Sequence, residues 1–364
     1  MTFVGSTRVG KLVMKQVCCD GFLIFHTLPL ARSLCFHSMR CAQASETLTP
    51  VVLELGGKDP FVLLPGANVD SLVDTAARGG WGAGGQNCIG AERFFVHASL
   101  VDRFVARLTS IAQSMRQGPP LNASGNTGVD IGALCLPGEA TRIQALVDDA
   151  KAHGAQVLTG GRAANLPGAE RGQFYPPTLI LVPDAKQDPS STKMRLLKEE
   201  VFGPLITVIP FEQEDDLVAQ INGCSFALGS SVFGRSDREV VRVGRRLDAG
   251  MLACNDFATC YMCQSLPMGG LKDSGFGKFA GVEGLRGLCI AKAVVEDLVP
   301  FVRTQLPPPL RYPLSPVAFA FTRALMQFFY GHSLASKVSG IMNLAKCSLM
   351  PSSVQVAQTF KKSN

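Results

Sequence analysis

The sequence predicts an α/β chain built on a largely parallel sheet. Short apolar runs of strand length alternate with amphipathic runs of helical period through the middle of the chain. Hydrophobic residues make up 46% and charged residues 18%, enough apolar surface to offset the entropy of ordering, so a disordered or charged low-complexity protein is excluded. At roughly 100–200 residues per domain, 364 residues predict two or three domains. The 37 Gly and 22 Pro follow no period, which excludes collagen-like repeats.

Taken in order, Met1–Val4 reads as a strand end, Gly5–Gly10 as a turn and Lys11–Gln16 as helix. Residues 51–55 and 61–64 are short apolar strands closed by Gly56-Gly57 and Pro65-Gly66. Asp70 is placed to cap a helix carrying Leu72, Val73, Ala76 and Ala77 on one face. In residues 101–115, Val101, Phe104, Val105, Leu108, Ile111, Ala112 and Met115 fall on one helical stripe. A further helix fits 139–153, ended by Gly154, with a strand at 155–159. Strands are expected at 178–182, 205–210 and 226–234, and helices at 214–223 and 236–247. The prolines of 306–316 make a linker, and 317–330 form a Phe-rich amphipathic helix.

The formal charge is +6, from 35 basic and 29 acidic side chains. Arg238, Arg242, Arg245 and Arg246 share a helix face without interleaved aromatics, so no nucleic-acid groove is read there. Twelve cysteines in so long a chain are no disulfide scaffold and suggest a reducing, cytoplasmic setting. Cys260-x-x-Cys263 lacks a second pair or a His cluster, so no metal is expected. The most apolar stretch, 21–36, is too short and too polar to span a membrane.

Four segments carry chemistry. Gly5-Ser6-Thr7-Arg8-Val9-Gly10 lies between strand and helix, where glycines and free helix amides can take a phosphate; an ordinary tight turn is the other reading. Gly84-Gly85-Gln86-Asn87-Cys88-Ile89-Gly90 frames a Cys that can be an exposed nucleophile or a small core residue. Glu54, in an apolar strand beside Gly56-Gly57, would be pushed toward neutrality by burial and suits a general base, unless it pairs with Lys58. In Glu200-Val-Phe202-Gly203-Pro204, the carboxylate can bind hydroxyls and Phe202 can offer a flat apolar contact, or the segment is a plain turn.

These motifs stand in one order: ELGGK at 54–58, GQNC at 85–88, EVFGP at 200–204 and GGLKDSGFG at 269–277. In that order, with Pro176-Pro177-Thr178 and Asn255-Asp256, the chain resembles the aldehyde dehydrogenase superfamily over roughly 1–16 and 44–298. The tail after 298 is similar to a plant and fungal branch. The resemblance implies a partial Rossmann-type cofactor domain plus an α/β catalytic domain. It divides the chain into a cofactor-domain remnant at 1–56, a catalytic domain at 57–255, a return to the cofactor domain at 256–298 that ends in an oligomerisation strand at 287–298, and a tail at 299–364. It implies NAD or NADP as cofactor, a small aldehyde as substrate and a homo-oligomer. Cys88 would attack the aldehyde and Glu54 would activate water to hydrolyse the thioester. Gly5, Ser6, Thr7 and Val9 would form the cofactor turn. Glu200 would bind the nicotinamide ribose, Phe202 would pack near the nicotinamide, and the Cys88 N–H would be an oxyanion donor.

Two features depart from the family. Its long segment ahead of the GST turn, with a second oxyanion donor and the adenosine-ribose contacts, has no match here, so the chain is expected to be N-terminally truncated, with an open sheet edge and reduced activity. Residues 17–43 interrupt a helix that would otherwise join Gln16 to Ala44. Val17 codons begin GT and Gln43 codons include CAG, so a retained intron is one reading and a surface loop the other. Transcripts that always contain the stretch would exclude the intron. Alternatives to the dehydrogenase are a non-catalytic partner chain and a cofactor-free thiol esterase. The helix at 317–330 can lie on a membrane surface or pack on a partner subunit.

Overall fold

The computed structural model describes residues 2–15, 50–122, 125, 126, 128–163, 173–183, 193–257, 259–299 and 301–349. The interruption at 17–43 lies outside them. Contacts divide the chain into two units, Met1–Ile290 and Ala291–Asn364.

The first unit opens with β1 (Thr2–Val4), α1 (Thr7–Lys15), β2 (Val52–Glu54), β3 (Asp59–Leu63), α2 (Val69–Trp81), β4 (Ala91–His97) and α3 (Val101–Ser114). The small hairpin β5 (Leu121–Asn122) and β6 (Gly125–Asn126) precedes α4 (Glu139–Ala152), β7 (Gln156–Thr159), β8 (Thr178–Leu181) and β9 (Leu205–Phe211). Then come α5 (Glu214–Asn222), β10 (Phe226–Ala227), β11 (Ser231–Phe233), α6 (Asp237–Gly244) and β12 (Ala253–Cys254). The unit closes with α7 (Thr259–Met262), β13 (Leu271–Lys272), β14 (Gly275–Phe276) and α8 (Gly281–Gly287).

A seven-stranded sheet runs β12-β11-β3-β4-β9-β8-β7, parallel except where β7 meets β8. Successive side chains of β3 point to opposite faces. Phe61 and Leu63 enter a core closed by α2 and α3, while Val62 and Leu64 enter another closed by α4, α5 and α6. Both faces are therefore covered, as parallel sheets require. A second sheet, β1-β2-β14, pairs β1 parallel and β14 antiparallel to β2. Val13 of α1 packs there on Leu53 and Leu55.

Most expected elements form within a residue or two of their sequence bounds, and four details differ. Asn68, not Asp70, caps α2, its side chain accepting from the Asp70 N–H at 3.2 Å. Asp70 instead pairs with Arg103. The run 226–234 divides into β10 and β11, because β10 turns away to pair with β13. In the arginine group, Arg242 and Arg246 bind Glu214, and Arg246 also binds Asp215. The strand expected at 287–298 does not form. Gly287 ends α8, and the following backbone finds no ladder partner among the described residues, leaving Ile290, Val295 and Leu298 at least 90% exposed.

In the second unit the Phe-rich helix is α9 (Ala318–Tyr330), followed by α10 (Leu334–Leu349). Among the described residues no helix is long and apolar enough to cross a membrane.

Candidate active site

A cavity of about 550 Å³ opens where the two sheets meet. It lies at the carboxyl ends of β1 and β2 and faces the loops that enter the amino ends of β4 and β9. Gly5, Ser6, Glu54, Cys88, Glu200 and Phe202 all line it. Sequence motifs separated by up to 200 residues thus share one wall.

Parallel pairing of β1 with β2 sets the first side. Phe3 lies opposite Leu53 and Val4 opposite Glu54. The Gly5 N–H then donates to the Glu54 carbonyl at 3.1 Å, and the Ser6 carbonyl accepts the first helical bond of α1, from Gly10 at 2.9 Å. Ser6 therefore sits at a helix N-terminus facing the cavity, where free amides and the helix dipole favour an anion. Thr7 and Val9 do not line the cavity. The Thr7 hydroxyl donates to the Asp273 carbonyl at 3.0 Å, and Val9 packs in the small core behind the turn.

Cys88 is presented by a loop whose backbone is left-handed at Ala83, Gly84 and Gly85. A Cβ on Gly85 would stand 1.9 Å from the Gly203 carbonyl oxygen, so this loop can only press against the Glu200–Pro204 segment with glycine there. In the segment joining β2 to β3, a Cβ on Gly57 would stand 2.1 Å from the Cys88 carbonyl oxygen. These two contacts bring thiol, Glu54 and Glu200 together.

Glu54 is only 2% exposed, and its Oε1 has no hydrogen-bond partner. Burial raises its pKa, against the lowering effect of a hydrogen bond with the Cys88 thiol. The thiol is pushed up to about 12, first by burial, then by the neighbouring Glu54 carboxylate. At neutral pH Cys88 is thus a thiol, with a buried carboxyl group beside it. Glu200 rises to about 7 through burial and the nearby Glu92, although its Oε1 accepts from the Gly57 N–H at 3.0 Å.

Lys58 does not pair with Glu54. Its ammonium group, fully buried, lies 2.6 Å from Glu92. The Glu92 carboxylate also accepts from the Val201 and Phe202 N–H groups at 2.9 Å. One buried ion pair thereby fixes the β3 entry, the β4 entry and the loop carrying Phe202, whose φ of 48° needs such restraint. Arg142 adds bonds to the carbonyls of Glu200 and Val201. Asp59, pushed up to about 8 by burial, sits beneath Cys88 with Oδ1 unpartnered. Lys58 as a brace, Glu92 and Asp59 were not singled out by the motifs; the charged pair Glu92-Arg93 at the start of an apolar strand was the available signal. Among the described residues no group of His, Cys, Asp and Glu could hold a metal ion.

The two sheets bring a cysteine thiol and a buried carboxyl group to one cavity, an arrangement that suits covalent catalysis by a thiol beside a general base. A model described as the aldehyde dehydrogenase family matches residues 38–294, and the chain belongs to that family. It is 40% identical over 313 residues to an aldehyde dehydrogenase-like protein of Saccharomyces cerevisiae, covering 85% of this chain and 47% of that one. It is 36% identical to an NADP(+) succinate-semialdehyde dehydrogenase of Mycobacterium bovis, covering 70% of this chain and 52% of that one. Among solved structures, a betaine aldehyde dehydrogenase of Staphylococcus aureus in complex with NAD+ superposes with a TM-score of 0.65 at 28% identity, over 83% of this chain and 53% of that one. The chain spans about half the length of the curated relatives it matches.

Proposed function

We propose that this chain carries the reaction centre of an NAD(P)-dependent aldehyde dehydrogenase, which converts an aldehyde to a carboxylic acid. The observation that supports this most is Glu54, buried beside the Cys88 thiol with one carboxyl oxygen unpartnered, in a cavity shared with the Ser6 turn and Glu200. The residues present fit the nicotinamide end of a dinucleotide. The α1 N-terminus at Ser6 suits a phosphate, Glu200 suits ribose hydroxyls, and Phe202 gives a flat apolar wall. Gly5 lets the turn bend tightly enough to meet it.

The Cys88 thiol gives its proton to solvent, and the sulfur adds to the aldehyde carbon. The Cys88 N–H donates to the oxygen as it gains charge. A bound nicotinamide nucleotide would supply the hydride acceptor, so that oxidation at that carbon leaves a thioester on Cys88. Glu54 then takes a proton from water as the water adds to the thioester. The carboxylic acid leaves, and the sulfur recovers its proton. The exposed apolar side chains Ile290, Val295 and Leu298 support a homo-oligomer as the working form, which sedimentation equilibrium tests. The free thiols support a reducing, cytoplasmic setting.

The test is NADH or NADPH formation from small aldehydes, run with each nucleotide. Turnover with at least one is expected, falling about 10⁴-fold or more in Cys88→Ser. Ester hydrolysis by Cys88 without any NAD(P)H would favour the thiol esterase. No turnover and no labelling of Cys88 by an aldehyde analogue would favour a non-catalytic partner chain.

A further inference from the structure

The described helices of the second unit form a hairpin, α9 against α10, in which α9 buries Phe321 and Ala324. The inward side of α10 is mostly small and polar, with Leu344 half-buried at its edge. Gly340 and Cys347 are buried there and Ser336, Ser339 and Asn343 are half-buried. A Cβ on Gly340 would stand 2.6 Å from the Phe328 nitrogen, so the two backbones touch. The opposite side of α10 is apolar and exposed: Leu334, Val338, Ile341, Met342 and Leu349 are between 46% and 83% exposed. Their spacing of 0, 4, 7, 8 and 15 makes one continuous stripe. At 100° per residue, Lys337 and Lys346 fall on its two flanks. On α9 the exposed stripe is Phe319, Arg323, Met326 and Tyr330.

Charge decides what such a face fits. From Leu298 to Asn364 there is no Asp or Glu, while Arg303, Arg311, Arg323, Lys337, Lys346, Lys361 and Lys362 are all positive. A second copy of the same face would set lysines against lysines. An anionic lipid surface offers the opposite sign together with an apolar layer for the stripe. Helices of 13 and 16 residues are shorter than the roughly 20 needed to span a bilayer, so the hairpin lies on the surface rather than across it.

We propose that the α9–α10 hairpin is a membrane-surface anchor, laying the outer stripe of α10 into the headgroup–acyl boundary of an anionic bilayer, with Lys337 and Lys346 reaching up to the phosphates. The inference rests on the second unit alone and stands whatever the cavity of the first unit catalyses.

The test is flotation of the full chain with phosphatidylcholine vesicles and with mixed phosphatidylcholine–phosphatidylserine vesicles. Binding to the mixed vesicles is expected, and it weakens as salt is raised. The double variant Lys337→Gln, Lys346→Gln partitions about thirtyfold less, at about fivefold per cation near an anionic surface. A Met342→Trp variant gives a readout independent of charge, against the constant signal of Trp81, the chain's one tryptophan. Its emission is expected to shift to the blue with mixed vesicles and to be quenched by lipids brominated on the acyl chain. Absence of flotation with mixed vesicles, by a chain whose helical circular dichroism is intact, overturns the proposal. So does a blue shift that follows protein concentration rather than vesicles, which assigns the face to a second copy.

Discussion

In the seven-stranded sheet every residue of β3 is buried, and Phe61 stacks between Phe94 and Phe233 at centroid distances of 5.0 and 4.4 Å. In the three-stranded sheet Thr2 and Val4 of β1 are exposed, and only Val13, Leu53 and Leu55 are buried in its core. The cavity lies between these two constructions. Cys88, Glu92 and Glu200 belong to loops of the well-covered sheet, whereas Ser6 belongs to the thin one. Glu54 ends β2 but is four residues from Lys58, which anchors in the large sheet. Cys88 is thus held from the rigid side and the anion-binding turn from the softer side, with Glu54 on β2 at the join between them. On the proposed function, the turn that would admit and release a nucleotide is drawn from the thinner sheet, where fewer buried contacts hold it.

The largest expected effect concerns Cys88 itself. A thiol pushed up to about 12 by its buried surroundings gains thiolate about tenfold per pH unit between pH 7 and 10. Iodoacetamide labelling followed by peptide mass spectrometry checks this slope. Cys263 is half-buried and its pKa is lowered by hydrogen bonds with Ser265, so at pH 7 it is expected to label before Cys88. Next comes the brace of the rigid side. Glu92→Gln leaves the Lys58 ammonium buried without a counter-charge and is expected to cost about 3–5 kcal/mol in urea unfolding.

Gly57→Ala strikes the seam, because its Cβ would overlap the Cys88 carbonyl. The displaced thiol is expected to lower kcat about 10²-fold while stability changes less than in Glu92→Gln. The smallest effects come from one substitution made in both sheets. Val62→Thr places an unpaired hydroxyl in a fully buried β3 position and is expected to cost about 1–3 kcal/mol. Val4→Thr, on exposed β1, is expected to stay within about 0.5 kcal/mol. Equal costs would erase the contrast between the sheets.

Much of the site was legible in the sequence because glycine marks close approach. Gly56-Gly57 and Gly84-Gly85 pointed to the two places where backbone meets backbone, and they flagged Glu54 and Cys88. The partner of Lys58 was not legible, since Glu92 lies 34 residues away and only strand register brings the two together. Thr7 and Val9 share the motif of Ser6, but a helix turns successive side chains through 100°, so they face away from the cavity. Asn68 and Asp70 are both good caps by composition, and only backbone geometry separates them. The 226–234 run hid its break because Gly229, whose Cβ would stand 2.5 Å from Asp59 Oδ2, lies inside an apolar stretch. The run 287–298 has strand composition, but no described residue pairs with it.

In the proposed reaction Cys88 and Glu54 act in sequence, sulfur first and carboxylate second. Glu54→Gln separates the steps, because it keeps the cavity and removes the base that hydrolyses the thioester. After mixing with aldehyde and nucleotide, intact-mass spectrometry of this variant is expected to show an acyl group on Cys88 that persists while steady-state turnover is lost. A Glu54→Gln protein that turns over at the wild-type rate with no acyl adduct would contradict the assignment.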